Sequence, residues 1–179
     1  MARGCTTPVG AVVKGAVAGT VGALAMDLFM WSGYRREGGT DGFRGWEFSA
    51  GLTSYEAAPA PAQVGRRIVE GFLGRELPPG TARPMNNAVH LLTGVQWGVV
   101  HGVLAGSSGR SGPVSGVRTG MTAWLASYAL LAPAGLYDPI WKYRPGVLAK
   151  DASAHLVYGL ATAGAFRVLA GRGGDRGRD

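Results

Sequence analysis

Three histidines and a few aspartates sit in or beside the apolar runs of this chain, where ionisable side chains are costly unless partnered. Asp27 lies near the end of the run that starts at Pro8. His90 and His101 lie in a second run, and His155 in the last, with Asp151 just before it and Asp138 in the preceding connection. Imidazole and carboxylate together can relay protons near neutral pH or ligate a divalent ion. His90 and His101 are eleven residues apart, which puts them within about 20° on one helix. If the apolar runs cross a membrane in alternation, the end of the first, start of the second, end of the third and start of the fourth share one side. That places Asp27, His90, Asp138, Asp151 and His155 at comparable depth, with His101 deeper, and makes these six the candidate proton-relay or ligand residues.

A plainer account needs no shared site. Asp138 and Asp151 would stand at helix ends, where carboxylates cap free amides or meet water. Gln96 and His101 would make hydrogen bonds between helices, each worth about 0.6–2 kcal/mol. Trp97, Trp124 and Trp141 read as packing and belt residues. No HExxH, CxxC or GxSxG pattern and no phosphate loop is present, so no catalytic residue, metal ligand or cofactor is assigned.

The elements that must position these groups are helices. Of 179 residues, 46% are hydrophobic, 16% are charged and 31 are glycine. Spans are expected at about 8–31, 85–107, 114–137 and 151–170, each near the length needed to cross the hydrocarbon core. Pro133 should kink or end the third. The first contains Gly15 and Gly19; the second has glycine at 94, 98, 102 and 106; the fourth contains Gly159. In water each interior glycine costs a helix about 1 kcal/mol. In lipid, small residues let helix backbones approach closely, so these seven glycines are expected to be packing positions.

The connection 32–84 is expected to be irregular at first, then to form a short amphipathic helix at about 61–76, with Val64, Ile68, Phe72 and Leu73 on its apolar side. The fold expected is therefore all-α: one transmembrane domain, residues 1–171, of four helices with an interfacial helix between the first two, then a disordered tail, 172–179. The one cysteine, Cys5, excludes an internal disulfide. No cleavable leader is expected ahead of the first span. The net charge of +7 lies between and beside apolar runs, which argues for lipid headgroups as partners and against nucleic acid. Arg110, Arg172, Arg176 and Arg178 favour cytoplasmic termini.

Residues 90–106 align without gaps on 155–171 and match at seven of 17 positions. Residues 15–25 resemble 116–126 in their GxxxG and closing Leu-Ala. A helical hairpin repeated twice is the implied plan.

The GxxxGxxGxxAMD pattern from Gly15 to Asp27, the HxxxG units at His90 and His155 and the segment AGLYDPIWKY at 134–143 resemble the YagU-type family of small bacterial inner-membrane proteins and its actinobacterial relatives. The resemblance implies a multi-spanning protein of the bacterial plasma membrane and supplies no catalytic residues. The function expected is that of a non-enzymatic structural or interaction bundle with the lipid bilayer as its surroundings, able to form homo-oligomers, its small ligand unidentified. The alternatives are a proton-linked transporter or channel using the intramembrane His and Asp residues, and a metal-dependent membrane enzyme.

Overall fold

The computed structural model describes residues 7–48 and 52–174, so Cys5 and the end of the expected tail, 175–179, lie outside the described residues. Every regular element among the described residues is helical: α1 (Pro8–Arg36), α2 (Phe43–Glu47), α3 (Ala60–Leu73), α4 (Ala82–Ser108), α5 (Pro113–Leu131) and α6 (Pro145–Gly174), with single 3-10 turns at Pro79–Thr81 and Ile140–Lys142.

Helix α1 starts where Thr7 Oγ1 accepts from the Gly10 N–H at 3.1 Å and Pro8 supplies a preset φ. Its 29 residues reach about 43 Å, past the expected end at 31. The overhang is held by the connection, which folds back on it. Trp31 meets Phe43 edge-on at 5.9 Å, Tyr34 O–H donates to Asp41 at 2.6 Å, and Arg35 donates to Thr40 O at 2.7 Å. The start of the connection is thus a small aromatic cap carrying α2 rather than irregular chain.

Helix α5 stops at Leu131, short of the expected 137: Ala132 still has helical φ and ψ, but Pro133 has no N–H with which to continue the ladder. The Leu136 and Tyr137 N–H groups then donate to Leu131 O across a turn where Gly135 takes φ +68°. Helix α6 starts at Pro145, six residues earlier than expected, since Pro at the first position suits a helix start.

In space the order is α4, α1, α6, α5, with α1 in the middle of the row and α4 touching α5 only lightly. The two tightest crossings are made backbone to backbone. A Cβ on Gly15 would sit 2.6 Å from Gly98 O, and one on Gly102 2.7 Å from Gly15 Cα; Gly19 likewise faces Gly94 O and Gly98. Across α5 and α6, a Cβ on Gly116 would sit 2.8 Å from Gly159 O, and one on Gly159 2.6 Å from Gly120 N. Gly106 stands more loosely against Ala11. By the sequence alignment Gly116 answers to Gly15 and Gly159 to Gly94, yet Gly15 faces Gly98. The two hairpins share a plan but cross one helical turn out of register.

Sorting by size runs opposite to a water-soluble core. The buried apolar side chains are chiefly alanines, joined by Phe166, Tyr158, Tyr128, Tyr55 and Met26; no Val, Leu or Ile is among the buried residues described. Val13, Leu28, Leu92, Leu104, Leu125 and Leu130 instead face outward. Two helical stretches, α1 and the run Pro79–Ser108 that contains α4, are long and apolar enough to cross a membrane, and only 39% and 22% of their most apolar windows are buried. A core helix of a soluble domain would be mostly buried.

Helix α3 docks on α4 through its small residues. Ala62 is fully buried, and a Cβ on Gly65 would meet the Met85 and Val89 side chains. Its large apolar residues point elsewhere: Ile68, Leu73 and above all Phe72, 88% exposed. Gly74, at φ +60°, ends the helix three residues before the expected 76. There the Leu77 N–H donates to Glu70 at 2.8 Å, and this bond, with the Arg66 guanidinium at 3.1 Å, holds the Glu70 carboxyl below the usual range.

Candidate functional site

The six predicted residues fall into two histidine–aspartate pairs and two separate groups. The first pair joins α1 to α4: His90 Nε2 lies 2.9 Å from Asp27 Oδ1, set to donate to it. Asp27 is buried and His90 is half-buried. Helix α2 brings a third ionisable group that the sequence did not flag, Glu47. Burial, and then the nearby Asp27 charge, push the Glu47 carboxyl above its usual range. The Glu47 carbonyl also accepts from Asn87 Nδ2 at 3.0 Å, which ties α2 to the start of α4.

The second pair is internal to α6. His155 Nδ1 stands 3.0 Å from Asp151 O and 3.4 Å from its carboxylate. Asp151 was expected ahead of the helix, as a cap or in water. The early start of α6 moves it into the second turn, where Trp124 Nε1–H and Tyr128 O–H both donate to Oδ2, at 3.0 and 2.9 Å. Trp124 and Tyr128 are four residues apart and share one face of α5, a spacing the sequence displays. Tyr137 and Tyr143, from the AGLYDPIWKY connection, pack against Tyr128, the first tilted at 5.2 Å and the second edge-on at 5.5 Å. A carboxylate with two donors and a packed aromatic lid is a structural anchor for the α5–α6 turn.

Asp138 joins neither pair. It is exposed in the connection, 3.4 Å from Lys142, and its backbone N–H donates to Tyr143 Oη. Among the described residues no group of three or more His, Cys, Asp or Glu is arranged to hold a metal ion.

His101 is remote from His90. Eleven residues of helix separate them by about 16 Å along the axis, so a shared face does not give shared neighbours. His101 Nδ1 meets Thr119 Oγ1 of α5 at 2.8 Å, and its ring stands edge-on to Phe166 of α6 at 5.7 Å. It is 2% exposed, and its Nε2 has no hydrogen-bond partner among the described residues. Gln96, expected inside with His101, faces outward. Because α4 and α5 meet so lightly, the His101–Thr119 bond is a principal tie between the two ends of the helix row. Thr119→Val should therefore cost about 1–3 kcal/mol in detergent unfolding, since it strands an imidazole already short of one partner. His101→Leu, which removes both stranded nitrogens, should cost less than Thr119→Val. The reverse order would show that the imidazole is satisfied in some other way.

A separate link joins α6 to α4: Tyr158 O–H donates to Gly94 O at 2.6 Å. Gln96 apart, the polar contacts inside the helix row pair side chains with each other or with backbone, and they do not form one continuous chain from end to end. Compared with protein-family models, curated proteins and solved structures, the chain finds no match.

Proposed function

We propose that this chain is an integral protein of the bacterial plasma membrane, of the YagU type, in which α1, α4, α5 and α6 span the bilayer and α3 lies in its interface. Its role is that of a structural or interaction bundle rather than an enzyme, with lipid, and further copies of itself, as its partners. The observation that carries this reading is the inverted sorting of side chains: alanine and glycine within, valine and leucine without. Water would drive those large residues inward, at about 25 cal/mol per Å² of apolar surface. Lipid does not, and rewards close backbone contact instead. Helix α5, with Arg118, and α6, with Lys150, Asp151 and Arg167, are less apolar than α1 and α4. In a bundle their polar groups are met by neighbours, as Asp151 is.

Labelling decides the topology. With Cys5→Ser as background, Glu56→Cys and Asp138→Cys are expected to react with a membrane-impermeant maleimide from one side, and Ser108→Cys only from the other. Labelling of all three from the same side, or recovery of the protein from the soluble fraction without detergent, overturns four spans. Helix α3 has its own test. Phe72→Trp should be quenched by lipids brominated high on their acyl chains, whereas Arg75→Trp should respond weakly. Equal quenching would remove α3 from the interface.

A second reading, proton-linked transport, is favoured by one observation: a buried carboxylate of α1 and a half-buried imidazole of α4 in contact. The proton would enter by way of Glu47 and His90. A single bundle encloses no through-path, so the reading requires assembly of several copies.

A further inference from the structure

At the head of α4 lies a cavity of about 700 Å³ that is open to the surface, its lining residues Phe48, Thr53, Arg83 and Pro84 exposed. Phe48, Leu52 and Pro84 form its apolar wall, and Thr53, Arg83 and Asn87 its polar one. Arg83, Asn87 and His90 recur along one face of α4, so the cavity and the Asp27–His90 pair share that side of the helix. Arg83, exposed in the first turn of α4, has no hydrogen bond or ion pair among the described residues, whereas the α3 arginines are engaged, Arg66 with Glu70 and Arg67 with Ala134 O. Asn87 is fixed by its bond to Glu47 O. A guanidinium without a counter-ion, beside an oriented amide, a hydroxyl and an apolar wall, is suited to a ligand that is anionic at one end and hydrocarbon at the other. A guanidinium meets phosphate or carboxylate oxygens in two parallel bonds.

We propose that this cavity binds the anionic headgroup of an amphiphile, with Arg83 as its counter-ion and Phe48 and Leu52 against the first methylenes. The proposal rests on the membrane reading above, which puts the head of α4 at the level of lipid headgroups. Phosphatidylglycerol of the surrounding bilayer and a free fatty acid both supply this chemistry.

The test uses the purified full chain in neutral detergent, offered equal amounts of phosphatidylglycerol and phosphatidylcholine, with retained lipid read by native mass spectrometry. Phosphatidylglycerol should be retained about tenfold over phosphatidylcholine, as a charge-assisted contact of this kind predicts. Arg83→Gln should bring the two to parity. Leu52→Trp, which fills the cavity and leaves Arg83 in place, should lower retention of both. Arg75→Gln, an exposed arginine outside the cavity, should change nothing. Displacement by oleate identifies a single-chain acid as an adequate ligand; resistance to oleate assigns the site to the bilayer phospholipid. Parity in the unaltered protein, or an undiminished preference in Arg83→Gln with helical circular dichroism intact, overturns the proposal. Failure of the membrane reading looks different: the protein would then stay monodisperse without detergent.

Discussion

Gly98→Ala should be among the most damaging single-methyl additions in this protein. A methyl on Gly98 meets backbone alone: Gly15 O and the Cα and N of Gly19. Flexible side chains can turn aside from a new methyl, but a helix backbone moves only as a rigid rod. The two helices must therefore separate, and the neighbouring contacts at Gly94 and Gly102 open with them. Overpacking costs typically about 1–3 kcal/mol, and a backbone-to-backbone site belongs at the upper end or beyond it. Gly164→Ala is the matched control. It sits in α6 with nothing within 4 Å of its would-be Cβ, so the substitution should gain up to about 1 kcal/mol in helix propensity. Reversible unfolding in detergent, compared for the two variants, checks the pair. If Gly98→Ala proves as harmless as Gly164→Ala, the α1–α4 backbones are not in contact in solution.

The glycine spacing made this crossing legible in the sequence, since four glycines at intervals of four leave one face of α4 bare. The partner face was legible too, as Gly15 and Gly19. Which turn of α1 meets which turn of α4 was not. The aligned repeat predicts the same register in both hairpins, whereas the observed crossings differ by a turn, because the α5–α6 crossing is set by where the Asp151 carboxylate meets Trp124 and Tyr128. Helix ends were legible where a proline stands and less so elsewhere. Pro133 marked the end of α5, while the overhang of α1 depends on Trp31 and Tyr34 finding Phe43 and Asp41, contacts that no local pattern announces.

The candidate site was legible in its parts but not in its grouping. Alternating spans predict a common depth for Asp27, His90 and His155, but a common depth would not fix lateral neighbours. With α1 between α4 and α6, His90 turns to Asp27 and His155 to its own helix. Glu47 could not be anticipated, since its approach depends on the fold-back of the connection. The same holds for α3. Its apolar periodicity is plain in the sequence, but the contact with α4 is made by Ala62 and Gly65, because small residues allow the closer approach, while Ile68 and Phe72 stay exposed.

His90→Ala should be more damaging than Asp27→Asn, and the difference is informative about what the pair does. Removing the imidazole leaves a buried carboxylate without its donor, and breaking a buried pair in this way costs about 3–5 kcal/mol. Asp27→Asn removes the charge but keeps an acceptor oxygen for His90 Nε2, so the fold should survive with a smaller loss, about 1–2 kcal/mol. The double variant Asp27→Leu with His90→Leu should recover much of the deficit, because a matched apolar pair carries no stranded charge. A double-mutant cycle with no coupling between positions 27 and 90 would dissolve the pair as a stabilising unit. Asp27→Asn also separates the two functional readings, since it leaves a folded protein in which the carboxylate can no longer take up a proton. If the pair only fastens α1 to α4, proton flux into liposomes is the same, and negligible, for Asp27→Asn and the unaltered chain. If the pair handles protons, flux is present in the unaltered chain and lost in Asp27→Asn at equal helical content. In that case Glu47→Gln should slow it, since Glu47 lies close enough to the pair for the Asp27 charge to act on its carboxyl.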